Sequence, residues 1–266
     1  MAMDWYTFRG FDRETVCAAR AWYRKFLPTS GMILDVGCGR GEFLDVAVET
    51  GMTTRGVDCD PAMLKCASAH DVVEADALDY LQATDDQFAV ISALHVVEHF
   101  SVDAAAALIR LCGDRLSSGG ALILATPNPG SLPTITHEFW RDPTHVRPYD
   151  VDLLGFLCRA AGLNVVDSGL NPSASRGLPV DLEDLDIIEG VSDEKPGGVT
   201  HGPITRWVGQ RLAETGYAAD LEAAIHSLSV NLRHTRDELH RVTSVVRRVI
   251  DVAYEPSEIY VVARRT

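Results

Sequence analysis

The run Ile33-Leu34-Asp35-Val36-Gly37-Cys38-Gly39-Arg40-Gly41-Glu42-Phe43 constrains the fold of this chain more than any other segment. An apolar strand that ends in an aspartate and a Gly-x-Gly-x-Gly turn, with a helix behind it, is the opening unit of a nucleotide-cofactor site. Glycine suits such a turn because it takes positive φ without a Cβ penalty and lets the backbone approach a ligand. The helix then presents its first free N–H groups to that ligand. The spacing is not the Gly-x-Gly-x-x-Gly of dinucleotide folds, since the third glycine comes one position early. Asp35, at the strand end, would repel a pyrophosphate and attract a cation.

Strand and helix patterns alternate along the chain, which predicts a mostly parallel sheet with helices on both faces. Strands are expected near 32–36, 53–58, 71–75, 88–94, 120–126, 163–169 and 257–263. Arg9 to Leu27 reads as an amphipathic helix that brings Trp22, Tyr23 and Phe26 to the cofactor edge or packs on the sheet. The 266 residues leave room for one α/β domain and an insertion. A net charge of −14 argues against nucleic acid or an anionic membrane as partner. Six cysteines without C-x-x-C spacing predict free thiols in a reducing compartment, hence a cytoplasmic protein. Met1 to Gly10 lacks the apolar core of a signal peptide, and no apolar run approaches the roughly 20 residues of a membrane span.

Two further carboxylates fall in register behind the glycine loop. A second strand ends at Asp58, the kind of residue that chelates ribose hydroxyls in nucleoside-binding folds, and a third ends at Asp76. Between them Asp60 and Pro61 open a helix as N-cap and first-turn residue. With Asp35 and its glycines, this order resembles class I S-adenosylmethionine-dependent methyltransferases, whose first motif is an acidic residue followed by Gly-x-Gly-x-Gly. The resemblance implies an α/β, Rossmann-like doubly wound sheet of seven strands, ordered 3-2-1-4-5-7-6 with the seventh strand antiparallel. It also implies an S-adenosylmethionine site formed by Asp35, Gly37, Cys38, Gly39, Gly41, Phe43, Asp58, Cys59, Met63, Asp76, Ala77 and Leu94. There Asp58 would take the ribose and Asp76 the adenine amino group. Read alone, Asp76 is a loop or cap carboxylate and Met63 a core side chain.

Phe88 to Leu94 runs as a buried strand into His95-Val96-Val97-Glu98-His99, at the strand end where open α/β sheets bind ligands. On a helix, positions 95, 98 and 99 share one face and have metal-ligand spacing; alternatively, Glu98 and His99 brace a short helix. After the fifth strand come Thr126-Pro127-Asn128-Pro129 and Asp142-Pro143-Thr144-His145-Val146-Arg147-Pro148, a proline-stiffened loop closed by a helix from Asp150 to Ala161. Loops at this edge usually carry substrate residues. These loops resemble those of bacterial polysaccharide and O-antigen methyltransferases, which implies a saccharide acceptor, for example a methylmannose polysaccharide. His-x-x-Glu-His with a distal His also resembles plant small-RNA 2′-O-methyltransferases, which hold a divalent ion with Glu-x-x-Glu-His and a distal His. His95 stands where those enzymes have Glu. Ubiquinone-pathway O-methyltransferases share the Glu-His pair, so a phenol or quinone is the alternative acceptor.

Methyl transfer to a hydroxyl requires its proton to be removed or weakened. His145 is the candidate general base, with an imidazole pKa near the working pH, and Glu98 and His99 stand with it as catalytic candidates. The other route is a metal at His95, Glu98, His99 and His145, acting as a Lewis acid; magnesium, manganese and zinc are candidates, and imidazoles favour the latter two. The metal-free base is the preferred expectation. A non-catalytic cofactor-binding assembly module is the competing class, and it predicts that His145 is dispensable.

Residues 1–170 are expected to form the catalytic core, 256–266 its last strand, and 171–255 an insertion. Gly177 to His201 reads as an acidic loop, either solvated or a substrate lid. Leu221, Ile225, Leu228, Leu232, Thr235, Leu239, Val242, Val246, Val249 and Ala253 then recur at alternating steps of four and three. That heptad seam predicts a helix of roughly 50 Å and a homodimer built on it.

Overall fold

The computed structural model describes residues 12–174 and 217–266, so the acidic stretch 177–201 and the start of the first expected helix lie outside the described residues. Seven strands form one sheet in the order β3-β2-β1-β4-β5-β7-β6. They are β1 (Met32–Val36), β2 (Thr53–Asp58), β3 (Val72–Glu74), β4 (Phe88–Leu94), β5 (Leu116–Pro127), β6 (Leu163–Leu170) and β7 (Glu258–Arg265). Neighbours from β3 through β5 pair in parallel, whereas β7 runs antiparallel to both β5 and β6. This is the expected order and direction. β5 begins four residues earlier than its apolar run, with a register shift against β4 between Phe88 and Val90.

The central strands are covered on both faces, which is why they read as continuous apolar runs. One face packs Leu34, Ile91 and Leu122 with helices α4 (Ala77–Ala83), α5 (Val102–Arg115) and α6 (Val151–Ala160). The other packs Ile33, Val90 and Ile123 against α2 (Glu42–Glu49) and the aromatic turn after α1 (Arg13–Ala21). In that turn Tyr23 is fully buried, and Trp22 meets Tyr260 edge-on with ring centroids 4.6 Å apart. Local chemistry sets the helix starts. Asp60 caps α3 (Pro61–Cys66) by accepting from the Ala62 N–H, Asp150 caps α6 through Leu153, and Ser101 caps α5 through Ala104.

The parallel strands end along one edge of the sheet, the edge at which such folds bind ligands. Because β7 is antiparallel, its first residue, Glu258, sits opposite Pro127 at that same edge.

Contacts divide the chain into two units, residues 1–177 with 252–266, and residues 178–251. Helix α7 (Tyr217–Ala253) has 37 residues, about 55 Å at 1.5 Å per residue. Its seam residues Leu228, Leu232, Leu239, Val242, Val246 and Val249 are exposed.

Candidate active site

The glycine loop crosses from β1 to α2 at the ligand edge. Gly37 adopts φ +68°, and a Cβ there would lie 2.5 Å from Val96 Cγ2. The Gly37 and Cys38 N–H groups donate to the Val57 carbonyl at 2.7 and 3.1 Å, and the Gly39 N–H donates to Asp58 Oδ2 at 2.8 Å. Asp58 Oδ1 accepts from the Asp60 N–H at 2.8 Å, so its carboxylate is fixed between the loop and the start of α3. Gly41, at φ +84°, opens α2.

Asp35 lies beneath the loop, 3% exposed, and its Oδ1 accepts the Ser92 hydroxyl at 2.6 Å. Burial raises its pKa to about 7 despite that hydrogen bond. A cationic ligand at the strand end would relieve this cost. Asp76 caps α4, its Oδ1 accepting from the Leu78 and Asp79 N–H groups, and Ala77 is the first residue of that helix. Cys59 is exposed at the end of β2, whereas Cys38, Met63 and Leu94 are buried. Phe43 is core, 6.3 Å from Tyr23 between ring centroids. All six cysteines are free thiols.

The second half of the site follows β4. Val97–His99 is a single 3-10 turn, and His95 precedes it with φ 61°. The left-handed residue interrupts the 100° step that would have aligned positions 95, 98 and 99, and His95 faces elsewhere. Ligand atoms of Glu98, His99 and His145 lie within 4.8 Å of one another; His95 is outside that set. Glu98 is fully buried: its Oε2 accepts the Thr126 hydroxyl at 2.9 Å, and its Oε1 has an ion-pair contact with His95 Nδ1 at 3.2 Å but no hydrogen bond. The Val146 and Arg147 N–H groups donate to the Glu98 carbonyl at 2.8 and 3.3 Å, which clamps the proline loop over the turn.

The hydrogen bonds select the tautomer of both histidines. His145 Nδ1 is 2.7 Å from the Phe139 carbonyl, which can only accept, so Nδ1 carries the proton and Nε2 the lone pair. Thr144 Oγ1 lies 2.5 Å from Asp142 Oδ1 and 2.9 Å from His99 Nδ1. Its single proton goes to the carboxylate, so His99 Nδ1 donates to the Thr144 oxygen. Burial lowers the pKa of His145 against the opposing charges of Glu98 and Asp142, so the ring is neutral at pH 7. The His99 and His145 rings meet edge-on at 4.8 Å, the Phe139 ring lies 4.5 Å from His145, and Trp140 beside it is 63% exposed.

Sequence reasoning did not single out Glu258. This carboxylate is 2% exposed, and four side chains donate to it: His95 Nε2 at 2.5 Å and Arg20 at 3.0 Å on Oε2, and the Tyr23 hydroxyl at 2.5 Å and Asn171 Nδ2 at 2.6 Å on Oε1. Burial alone would raise its pKa, but the His95 bond and the Arg20 charge outweigh it and hold it at about 2. His95 shows the converse: burial opposes its charge, yet contacts with Glu258 and Glu98 raise its pKa to about 9. The signal available in the sequence was a glutamate opening an otherwise apolar strand, Ile259 to Ala263.

A glycine loop over a buried strand-end carboxylate, followed by two strand-end acids and a histidine cluster on a 3-2-1-4-5-7-6 sheet, defines a class I S-adenosylmethionine-dependent methyltransferase. A family model described as a methyltransferase domain matches residues 8–168, and the chain belongs to that family. Over 159 residues it is 31% identical to a ubiquinone biosynthesis O-methyltransferase of Pseudomonas paraeruginosa, covering 51% of this chain and 65% of that protein. A ubiquinone biosynthesis O-methyltransferase of Pseudomonas fluorescens is 30% identical over the same length and coverage. The chain thus spans about two thirds of the length of the curated relatives it matches. Among solved structures, an S-adenosylmethionine-dependent methyltransferase from Archaeoglobus fulgidus shares the fold at TM-score 0.67 and 23% identity, covering 97% of this chain and 96% of that one. Both curated relatives are ubiquinone biosynthesis enzymes, and neither is a polysaccharide methyltransferase. No helix among the described residues is long and apolar enough to cross a membrane.

Proposed function

We propose that the protein transfers the methyl group of S-adenosylmethionine to a hydroxyl of a small aromatic acceptor, a phenol or quinone precursor, with His145 as general base. The observation that carries this reading is the His145 ring, oriented by the Phe139 carbonyl on Nδ1 and grouped with Glu98 and His99, ligand atoms of all three lying within 4.8 Å of one another. S-adenosylmethionine supplies an electrophilic methyl on a sulfonium; the chain's part is to hold the acceptor oxygen in line and take its proton. A phenol, with pKa near about 10, matches an imidazole base better than a far less acidic sugar hydroxyl. The exposed Trp140, packed edge-on against the buried Phe139, offers a surface for an aromatic ring, and the similarity to ubiquinone biosynthesis enzymes favours the same class. Free cysteines suit a cytoplasmic location.

A second reading, with a metal, has its own observation. Glu98 Oε1 is buried without a hydrogen bond, and Glu98, His99 and His145 together offer the carboxylate and two imidazoles of a zinc or manganese site. Such an ion would weaken the acceptor O–H as a Lewis acid. A tetrahedral ion with bonds of about 2.1 Å needs its ligand atoms roughly 3.4 Å apart, closer than the 4.8 Å span here. The His95 cation also competes for the same oxygen, so the metal-free base is the stronger reading.

The exposed seam of α7 supports a homodimer formed by pairing with a second copy. Its a and d positions are apolar save Thr235, and Arg233, Arg241, Arg247, Arg248, Asp237 and Asp251 lie on the opposite face.

A panel of catechols, monophenols and sugars, scored by S-adenosylhomocysteine release with and without a chelator, tests the acceptor and the metal together. Turnover of a catechol that survives chelation is expected. Turnover of sugars alone would overturn the aromatic acceptor, and complete loss on chelation would establish the metal route.

A further inference from the structure

His95 combines three features that ordinary packing does not require. It is a non-glycine residue at φ 61°, a conformation that strains an L-residue and persists only where the surroundings hold it. Its N–H nonetheless stays in the sheet pattern, donating to the Ala125 carbonyl at 2.8 Å. Its two ring nitrogens face two different buried carboxylates, Nε2 on Glu258 at 2.5 Å and Nδ1 on Glu98 Oε1 at 3.2 Å. The left-handed turn is what sends the ring across the end of β5 to the start of β7.

Beyond Glu258 the connection continues into the rest of the core. Arg20 and Tyr23 bring the N-terminal helix and its aromatic turn onto the same carboxylate, and Asn171 brings the end of β6. On the other side, a Glu98 oxygen lies within 4.8 Å of a ring nitrogen of His99 and of His145, and its backbone carbonyl holds the loop that carries His145. The chain from Arg20 to His145 is therefore continuous: Arg20, Glu258, His95, Glu98, then the proline loop. A histidine that merely filled space would need neither the left-handed backbone nor a carboxylate on each nitrogen.

We propose that His95 is a positioning residue, bridging Glu98 to Glu258 so that the Glu98 turn and the His145 loop are held at one distance from α1, which carries Arg20. This rests on the reading of His145 as the working group. It assigns His95 no contact with either substrate. Loss of the bridge would leave Glu98 anchored through Oε2 on the Thr126 hydroxyl and released at Oε1, and a displacement of about 1 Å in such a site costs roughly 100-fold in turnover.

The test uses His95→Gln and Glu258→Gln, singly and together, in the full chain. With the acceptor the wild-type enzyme accepts, each single change is expected to lower kcat by about 10- to 100-fold while the KM for S-adenosylmethionine moves less than about threefold. The double variant is expected to lose no more than the worse single one, because both break the same bridge. A second readout needs no acceptor: the ring resonances of His99 and His145 in isotope-labelled protein should move in both variants, and should not move in the control His70→Gln. Unchanged resonances in His95→Gln, or a purely additive loss in the double variant, would overturn the bridge. Moved resonances without turnover of any acceptor would leave the bridge standing and count against the functional reading alone. Should Glu258→Gln fail to fold, because the Arg20 and Tyr23 contacts to this carboxylate are weakened too, His95→Gln decides.

Discussion

Replacing Gly37 with alanine perturbs the point where the cofactor loop meets the turn after β4. The new Cβ would sit 2.5 Å from Val96 Cγ2, and the backbone holds φ +68°. The left-handed backbone costs an L-residue about 1–2 kcal/mol, and an overpacked contact in a well-filled core adds about 1–3 kcal/mol. The loss of about 2–5 kcal/mol converts, at about 2–4 °C per kcal/mol for a chain of this size, to a melting temperature lower by roughly 5–20 °C. Val96 cannot yield freely, since the neighbouring Val97–His99 turn carries Glu98. S-adenosylmethionine affinity measured by calorimetry should therefore fall at least about tenfold, the equivalent of about 1.4 kcal/mol. Adding Val96→Ala separates the two costs. It removes the clash and leaves the φ penalty, so the double-mutant cycle should show a favourable coupling of about 1–3 kcal/mol. If Gly37→Ala melts with the wild type, or if Val96→Ala gives no coupling, the close approach of loop and turn is wrong.

Other expectations follow from the titrating groups and the long helix. Because burial lowers the His145 pKa from 6.5 and the base works neutral, the acid limb of kcat/KM should lie below pH 6.5, with rate lost as pH falls through the lowered value. A limb above 6.5 would contradict the assignment. Glu258, lowered to about 2, adds stability that is present above its unfolded value of 4.5 and is lost only as pH falls toward 2; His95, raised to about 9, adds stability that is complete below 6.5 and is lost as pH rises through 9. Melting temperature should thus decline between pH 6.5 and 9 in the wild type and decline less in His95→Gln. Leu232→Lys with Val246→Lys places charges at two a positions of the α7 seam; sedimentation is expected to report a dimer for the wild type and a monomer for this variant.

The parts of the fold set by local chemistry were legible in the sequence. Asp60 and Asp150 mark helix starts through their own side chains, and β1 and β4 announce themselves as apolar runs because both faces of the sheet are covered. The cluster of Glu98, His99 and His145 was legible for a similar reason: strand ends and prolines place it. The position of His95 was not. A non-glycine residue at positive φ leaves no mark in the pattern, although histidine tolerates that region better than most residues. Glu258 was hidden by distance, since it joins His95 across 163 residues, and its burial depends on antiparallel pairing that brings the start of β7 to the ligand edge.

The central claim is that His145 removes the acceptor proton during methyl transfer from S-adenosylmethionine. Single-turnover transfer of a tritiated methyl group to a catechol, compared between the wild type and His145→Asn, tests it most directly. The account predicts label on the phenolic oxygen, with a rate about 100- to 10,000-fold lower in the variant and S-adenosylmethionine binding unchanged. Equal rates in the two proteins, or cofactor binding without transfer to a phenol, would contradict it.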